Sequence, residues 1–263
     1  MAAIHPTAIV DKDCELADDV QVGPYSVIRH GTVIGPGTMV DAHVLLEHTT
    51  VGRDCRLHFG AAIGGPPQDS TYHDEPTRVI LGDRNEVREY VTIHRATGEG
   101  NVTLVGNDNM LMSQTHLGHN CQVGNRVMLS TLSGMSGHVV IEDDVIIGGM
   151  VGSHQRVRVG KLAMVSGYSK LSQDVPPFSL VDGKPARVIG PNQIGLRRAG
   201  LEAETRRAIQ QAFRMIYRSG IELPRALEQV NEELGHVPEV AYLVEFLQRM
   251  REGRLGRQQE VAD

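Results

Sequence analysis

Aromatic residues are scarce: the 263-residue chain has no Trp, four Phe and six Tyr. Sandwich and α/β cores usually recruit more rings than this, so a narrow, aliphatic core is expected. Cysteine is scarce too. Cys14, Cys55 and Cys121 make an odd, low count, and nothing about it suggests a disulfide framework. The longest apolar run, Val145 to Val151, is far too short to span a bilayer. Met1 to Val10 shows no basic segment followed by an apolar one, so no secretion signal is read there and the cytoplasm is the expected compartment. A net charge of −6 speaks against a nucleic-acid binder with an all-basic surface. What remains is a folded chain, 40 % apolar and rich in Gly.

The informative feature is a period of six. From Ile4 the series runs Val10, Leu16, Val22, Ile28, Ile34, Val40, every stop aliphatic. It resumes from Val105 through Leu111, Leu117, Val123, Leu129, Met135, Ile141, Ile147, Ser153, Val159, Val165 and Leu171, and only Ser153 breaks it. A helix needs a 3.6-residue period and an ordinary strand simple alternation. A strict six fits a solenoid of short flat faces, three hexads closing one triangular coil. Four residues after each aliphatic stands a small or β-branched residue (Ala8, Cys14, Val20, Ser26), and all three cysteines fall on that inward position. They read as small buried hydrophobes, not reactive thiols.

The period slips by one residue between Leu46 and Val51, and two insertions break it outright, at about residues 64–80 and 94–104. Insertions in solenoids map to outward loops, often on the binding face. Beyond Asp174-Val175-Pro176-Pro177 the hexads stop, and from about residue 191 the apolar positions recur at helical spacing: Ile209, Phe213 and Ile216, then Ala226, Leu227, Val230 and Leu234 after a helix stop at Ser219-Gly220. Two units are expected: a solenoid over 1–190 and a helical domain over 191–263 that caps its open end.

Three hexads per coil stack residues eighteen apart. His119 then lies under Gly137 and Gln155, and Asn120 under His138 and Arg156, which makes His119 and His138 diagonal neighbours. A histidine is the natural base for a hydroxyl at neutral pH, and a glycine leaves its N–H open to an oxyanion. A competing reading drafts His116, His119 and His138 as zinc ligands in a carbonic-anhydrase-like trimeric solenoid, or makes the solenoid a non-catalytic scaffold.

Particular stretches go further than the hexads: Glu75-Pro76-Thr77-Arg78, Gly82-Asp83-Arg84-Asn85, Val91-Thr92-Ile93-His94-Arg95, Ser136-Gly137-His138, Ile146-Ile147-Gly148-Gly149-Met150 and Gln173-Asp174-Val175-Pro176-Pro177. With them the chain resembles, over essentially its whole length, the acyl-[acyl-carrier-protein]–UDP-N-acetylglucosamine O-acyltransferases, the first enzymes of lipid A synthesis. The resemblance implies an all-β solenoid, a left-handed parallel β-helix with a C-terminal α-helical domain, assembled as a homotrimer with sites between subunits. It implies no cofactor, since the 3-hydroxyacyl group arrives on the phosphopantetheine of acyl carrier protein, an acidic partner. His119 would be the general base toward the sugar 3-hydroxyl, and Gly137 N–H would hold the oxyanion. Asp69, His116, His138 and Gln155 match sugar-binding positions. His154 matches a position near the nucleotide and acyl site, Asn192 and Arg198 positions near the nucleotide, and Gly167 the position that sets acyl length. Some members of the family use a 3-amino sugar and form an amide, and both acceptors stay open. Four positions depart from the pattern: Asn120 stands where Asp is usual, Thr71 for Lys, Ile194 for an acid and Ala199 for a second Arg.

Overall fold

Most hexads of the chain resolve into a two-residue strand followed by a tight turn. A computed structural model describes residues 1–261. The strands stack into three ladders of 11, 9 and 8 strands, parallel except for the last pair of the first, that form the faces of a triangular prism. The first face begins with Ala3–Ile4, the second with Ile9–Val10 and the third with Glu15–Leu16. Pairings such as His116↔Gly134 and Gln122↔Val140 carry the eighteen-residue register expected. Across the insertions the register lengthens, to Arg56↔Glu86 and Thr92↔His116.

The sequence pattern and the coil explain one another. The aliphatic series points inward: Ile28, Leu46, Ile63, Leu111, Leu129 and Ile147 are fully buried in one continuous core. Each such side chain contributes about 1.5–3 kcal/mol as an upper estimate. Corners turn through left-handed backbone even at bulky residues, with φ of 59° at Tyr25, 56° at Asp54 and 61° at His138. That conformation is costly for L-residues, and the hydrogen bonds from coil to coil hold it in place. The one-residue slip between Leu46 and Val51 falls at such a corner, His48, with φ 46°. Cys55 and Cys121 are buried and Cys14 half-buried; burial pushes the Cys121 thiol up to about 12.

Both insertions leave the second face and return to the third, so they project from the same corner. Beyond Leu171 the strands Ser179–Gly183 and Ala186–Pro191 form an antiparallel hairpin on the first face. Four helices follow: α1 (Gln193–Arg198), α2 (Ala203–Arg218), α3 (Leu223–Leu234) and α4 (Pro238–Glu252). The expected stripes are buried, Ile209, Phe213 and Ile216 on α2 meeting Leu227 and Val230 on α3 in a second core that includes Phe178. α4 and a closing hairpin, Gly253–Arg254 with Arg257–Val261, complete the unit. From that hairpin Gln259 Nε2 donates to the carbonyls of His138 and Arg156, each at 3.1 Å. No described helix is long and apolar enough to cross a membrane.

Candidate active site

The corner between the second and third faces gathers the histidines and both insertions. His119 occupies the turn position just before the left-handed residue Asn120 and is 6 % exposed. Its Nε2 stands 3.4 Å from Asp69 Oδ2, brought in by the first insertion. Its Nδ1 lies 2.8 Å from Asn120 Oδ1. His138, one coil on, packs edge-to-face against the His119 ring at 5.1 Å, and its N–H donates to the His119 carbonyl at 2.9 Å. Burial first, then Arg156 and His119, pushes the His138 imidazole below the usual histidine range, so it is uncharged at neutral pH.

Gly137 is required here by space. A Cβ at this residue would fall 2.4 Å from His119 Nε2. Its N–H donates to no partner among the described residues, so a donor and an imidazole nitrogen face one small volume. Asp69 is held by its own loop: Thr71 donates to Oδ1 through both N–H and hydroxyl, each at 2.9 Å. Those bonds, with His119 adding, keep the carboxyl below its ordinary range, so it is charged at neutral pH. Thr71, one of the departures, therefore shapes the loop that presents Asp69.

The other expected residues divide. His116 points outward from the second face, its Nδ1 2.8 Å from Thr92 Oγ1 and its ring 5.3 Å from His94. Burial, then His94, lowers its pKa. His154 and Gln155 lie exposed one coil beyond Ser136-Gly137, with His154 Nδ1 3.0 Å from the Gln155 carbonyl. Gly167 sits at the corner between first and second faces, across the second face from His119. Between them an added Cβ at Gly134 or Gly152 would meet nothing within 4 Å, so the second face is open there. Asn192 caps α1 through Gly195 N–H at 3.0 Å and donates to the Leu162 carbonyl at 2.9 Å. It thus stands near a different corner of the same chain, as does Arg198 in the last turn of α1. One subunit does not bring these two to His119. Among the described residues no three His, Cys, Asp or Glu side chains converge as a metal site.

Residues that the sequence reading did not assign to the site tie the two insertions to the corner. Glu75 accepts from Gly98 N–H at 2.8 Å, and buried Arg95 donates to Tyr72 Oη at 3.1 Å and the Gly64 carbonyl at 2.9 Å. Thr97 reaches Asn120 and His119 directly. Arg95 and Glu75 belong to the motif stretches of the sequence; Thr97 carries no such signal.

A buried histidine, an open backbone N–H and a carboxylate gathered on a hexapeptide prism fit the class of hexapeptide-repeat acyltransferases. Residues 13–48 match the model described as bacterial transferase hexapeptide (six repeats), and residues 174–255 that of domain 2 of UDP N-acetylglucosamine O-acyltransferase. The acyl-[acyl-carrier-protein]–UDP-N-acetylglucosamine O-acyltransferase of Thermodesulfovibrio yellowstonii is 40 % identical over 255 residues, covering 96 % of this chain and 99 % of the relative. That of Paraburkholderia phymatum is 41 % identical over 260 residues, covering 96 % and 99 %. The crystal structure of the Francisella novicida UDP-N-acetylglucosamine acyltransferase superposes with a TM-score of 0.89 at 34 % identity, covering 93 % of this chain and 91 % of that one. The chain belongs to the UDP-N-acetylglucosamine O-acyltransferase family, and its prism is the left-handed parallel β-helix of that family.

Proposed function

We propose that this protein transfers a 3-hydroxyacyl group from acyl carrier protein to the 3-hydroxyl of UDP-N-acetylglucosamine, opening lipid A synthesis in the cytoplasm. The observation that carries the reading is the meeting of His119 Nε2, the open Gly137 N–H and Asp69 at one corner. His119 takes the hydroxyl proton on Nε2 as the sugar oxygen attacks the thioester carbonyl. Gly137 N–H donates to the oxyanion of the tetrahedral intermediate. Collapse breaks the C–S bond, and the imidazolium returns the proton to the departing phosphopantetheine thiolate. The thioester is already activated, so the chemistry needs no cofactor.

The remaining assignments are those the family resemblance implies, and the placement of the residues supports them. Asp69, His138, His116 and Gln155 bind the sugar around the base, with His154 beside the nucleotide and acyl groups. The acyl chain lies along the second face past Gly134 and Gly152, and Gly167 ends it. The division into a catalytic solenoid (1–190) and a capping helical domain (191–263) also belongs to this proposal.

The assembly is a homotrimer. Met110, Met128, Ile146 and Met164 stack outward on the first face, and Leu132, Met150 and Tyr168 are exposed at the adjoining corner, from 44 to 62 %. Buried between subunits, this surface is satisfied by closed cyclic packing, and a neighbouring chain then supplies Asn192 and Arg198 to the nucleotide. The deciding experiment is acyl transfer from a panel of 3-hydroxyacyl carrier proteins to UDP-N-acetylglucosamine and to its 3-amino analogue, with His119→Ala as control. Ester formation that falls at least ~10²-fold in the variant supports the proposal. Transfer to the amine alone moves the protein to amide formation, and an undiminished variant overturns the role of His119.

A further inference from the structure

His119 meets a neutral partner where a charged one would be the simplest choice for a base. Asn120 and Thr97 form a closed set of hydrogen bonds beside its Nδ1. Thr97 N–H and hydroxyl donate to Asn120 Oδ1 at 2.9 and 3.0 Å, and Asn120 Nδ2 donates to the Thr97 carbonyl at 3.0 Å. The backbone of Thr97 leaves the amide one orientation, because its N–H must face an oxygen and its carbonyl an N–H. Asn120 Oδ1 is then the atom 2.8 Å from His119 Nδ1, and a carbonyl oxygen there requires a proton on Nδ1. Nε2 keeps its lone pair on the side of Gly137 and Asp69.

We infer that Thr97 and Asn120 are positioning residues that set the tautomer of the catalytic base through a charge-free relay. The inference rests on the acyl-transfer reading above. The relay explains why the second insertion exists at this corner: Asn120 belongs to the coil, Thr97 to the insertion, and the base is oriented when the two meet. It also divides two tasks. Asn120 orients the ring at Nδ1, while the charge that favours the imidazolium comes from Asp69 on the Nε2 side. The groups facing the ring are then Asp69, His138 with Arg156 behind it, and the uncharged Asn120 and Thr97.

Asn120 has φ 59°, so Asn120→Gly removes the amide without backbone strain, and Asn120→Asp keeps an acceptor but adds charge. The relay predicts that Asn120→Gly lowers kcat by roughly 10- to 100-fold with the sugar KM nearly unchanged, and that Thr97→Val has a smaller effect in the same direction. In Asn120→Asp the acidic limb of the kcat/KM profile moves up by about one pH unit, since a carboxylate beside the ring favours its protonated form. Nitrogen-15 NMR of labelled histidine reads the tautomer without turnover: wild-type His119 shows the proton on Nδ1, and Asn120→Gly loses that preference. A proton on Nε2 in the resting wild type, an unshifted limb in Asn120→Asp, or a full kcat in Asn120→Gly overturns the inference. If the protein proves to have another activity, the NMR result still decides the relay by itself.

Discussion

The corner between the second and third faces and the corner between the third and first share one backbone and differ in what fills a single position. At the latter, the residue before each left-handed turn is Arg53, Asp83, Asn107 or Asn125. Its N–H is accepted by a side-chain oxygen from the next coil: Asp83 at 3.0 Å, Asn107 at 2.7 Å, Asn125 at 2.9 Å and Asp143 at 2.9 Å. Arginine–aspartate pairs then line the outside, Arg84 with Asp108 and Arg126 with Asp144, both at 2.7 Å. At the histidine corner the equivalent position holds His119 and then Gly137. Gly137 offers no oxygen to the coil below and keeps its own N–H free. The same ladder that seals one edge of the prism is interrupted on the other, and the interruption is where a reaction fits.

The comparison is broken most severely by filling the gap. Gly137→Ala places a methyl within the His119 ring's space, and the rate of acyl transfer should fall by about 10²- to 10³-fold while the far-ultraviolet circular dichroism of the prism persists. An intermediate effect is expected at the corner that neither seals nor reacts. Leu132→Glu buries charge in the proposed subunit contact, and light scattering should show the trimer lost to smaller species. The smallest effect belongs to the sealed corner. Arg126→Ala removes a pair that is 54 % and 33 % exposed, so stability should drop by less than about 1 kcal/mol in chemical denaturation, with the transfer rate intact.

Much of this was legible beforehand. Where the six-residue period holds, eighteen-residue stacking places Gly137 beside His119 and His138 diagonally from it, because coil geometry converts sequence distance directly into height. Where the period fails, the arithmetic fails with it. Thr97 meets Asn120 only through the path of an insertion, and Asp69, fifty positions before His119, could be assigned only by resemblance. Helices α2 and α3 announced themselves through apolar stripes. α4 and the final hairpin, whose Gln259 braces the His138 corner, had no comparable signal. Ile4 shows the limit of pattern reading in the other direction: it is in register with the inward series, yet 44 % exposed, because no coil lies beneath the first.

That first coil gives the molecule a polarity. The helices follow the last coil in the chain, while Ala3–Ile4, Ile9–Val10 and Glu15–Leu16 each pair on one side only among the described residues. In a stack where every coil leans on its neighbours, opening begins where a neighbour is missing. Opening is therefore expected to start at the amino-terminal end and to run as a zip does, one tooth after another. On the second face five strands precede His116–Leu117 and three follow it, so the His119 coil lies five teeth in. Wear at the open end passes five coils before it reaches the His119 corner.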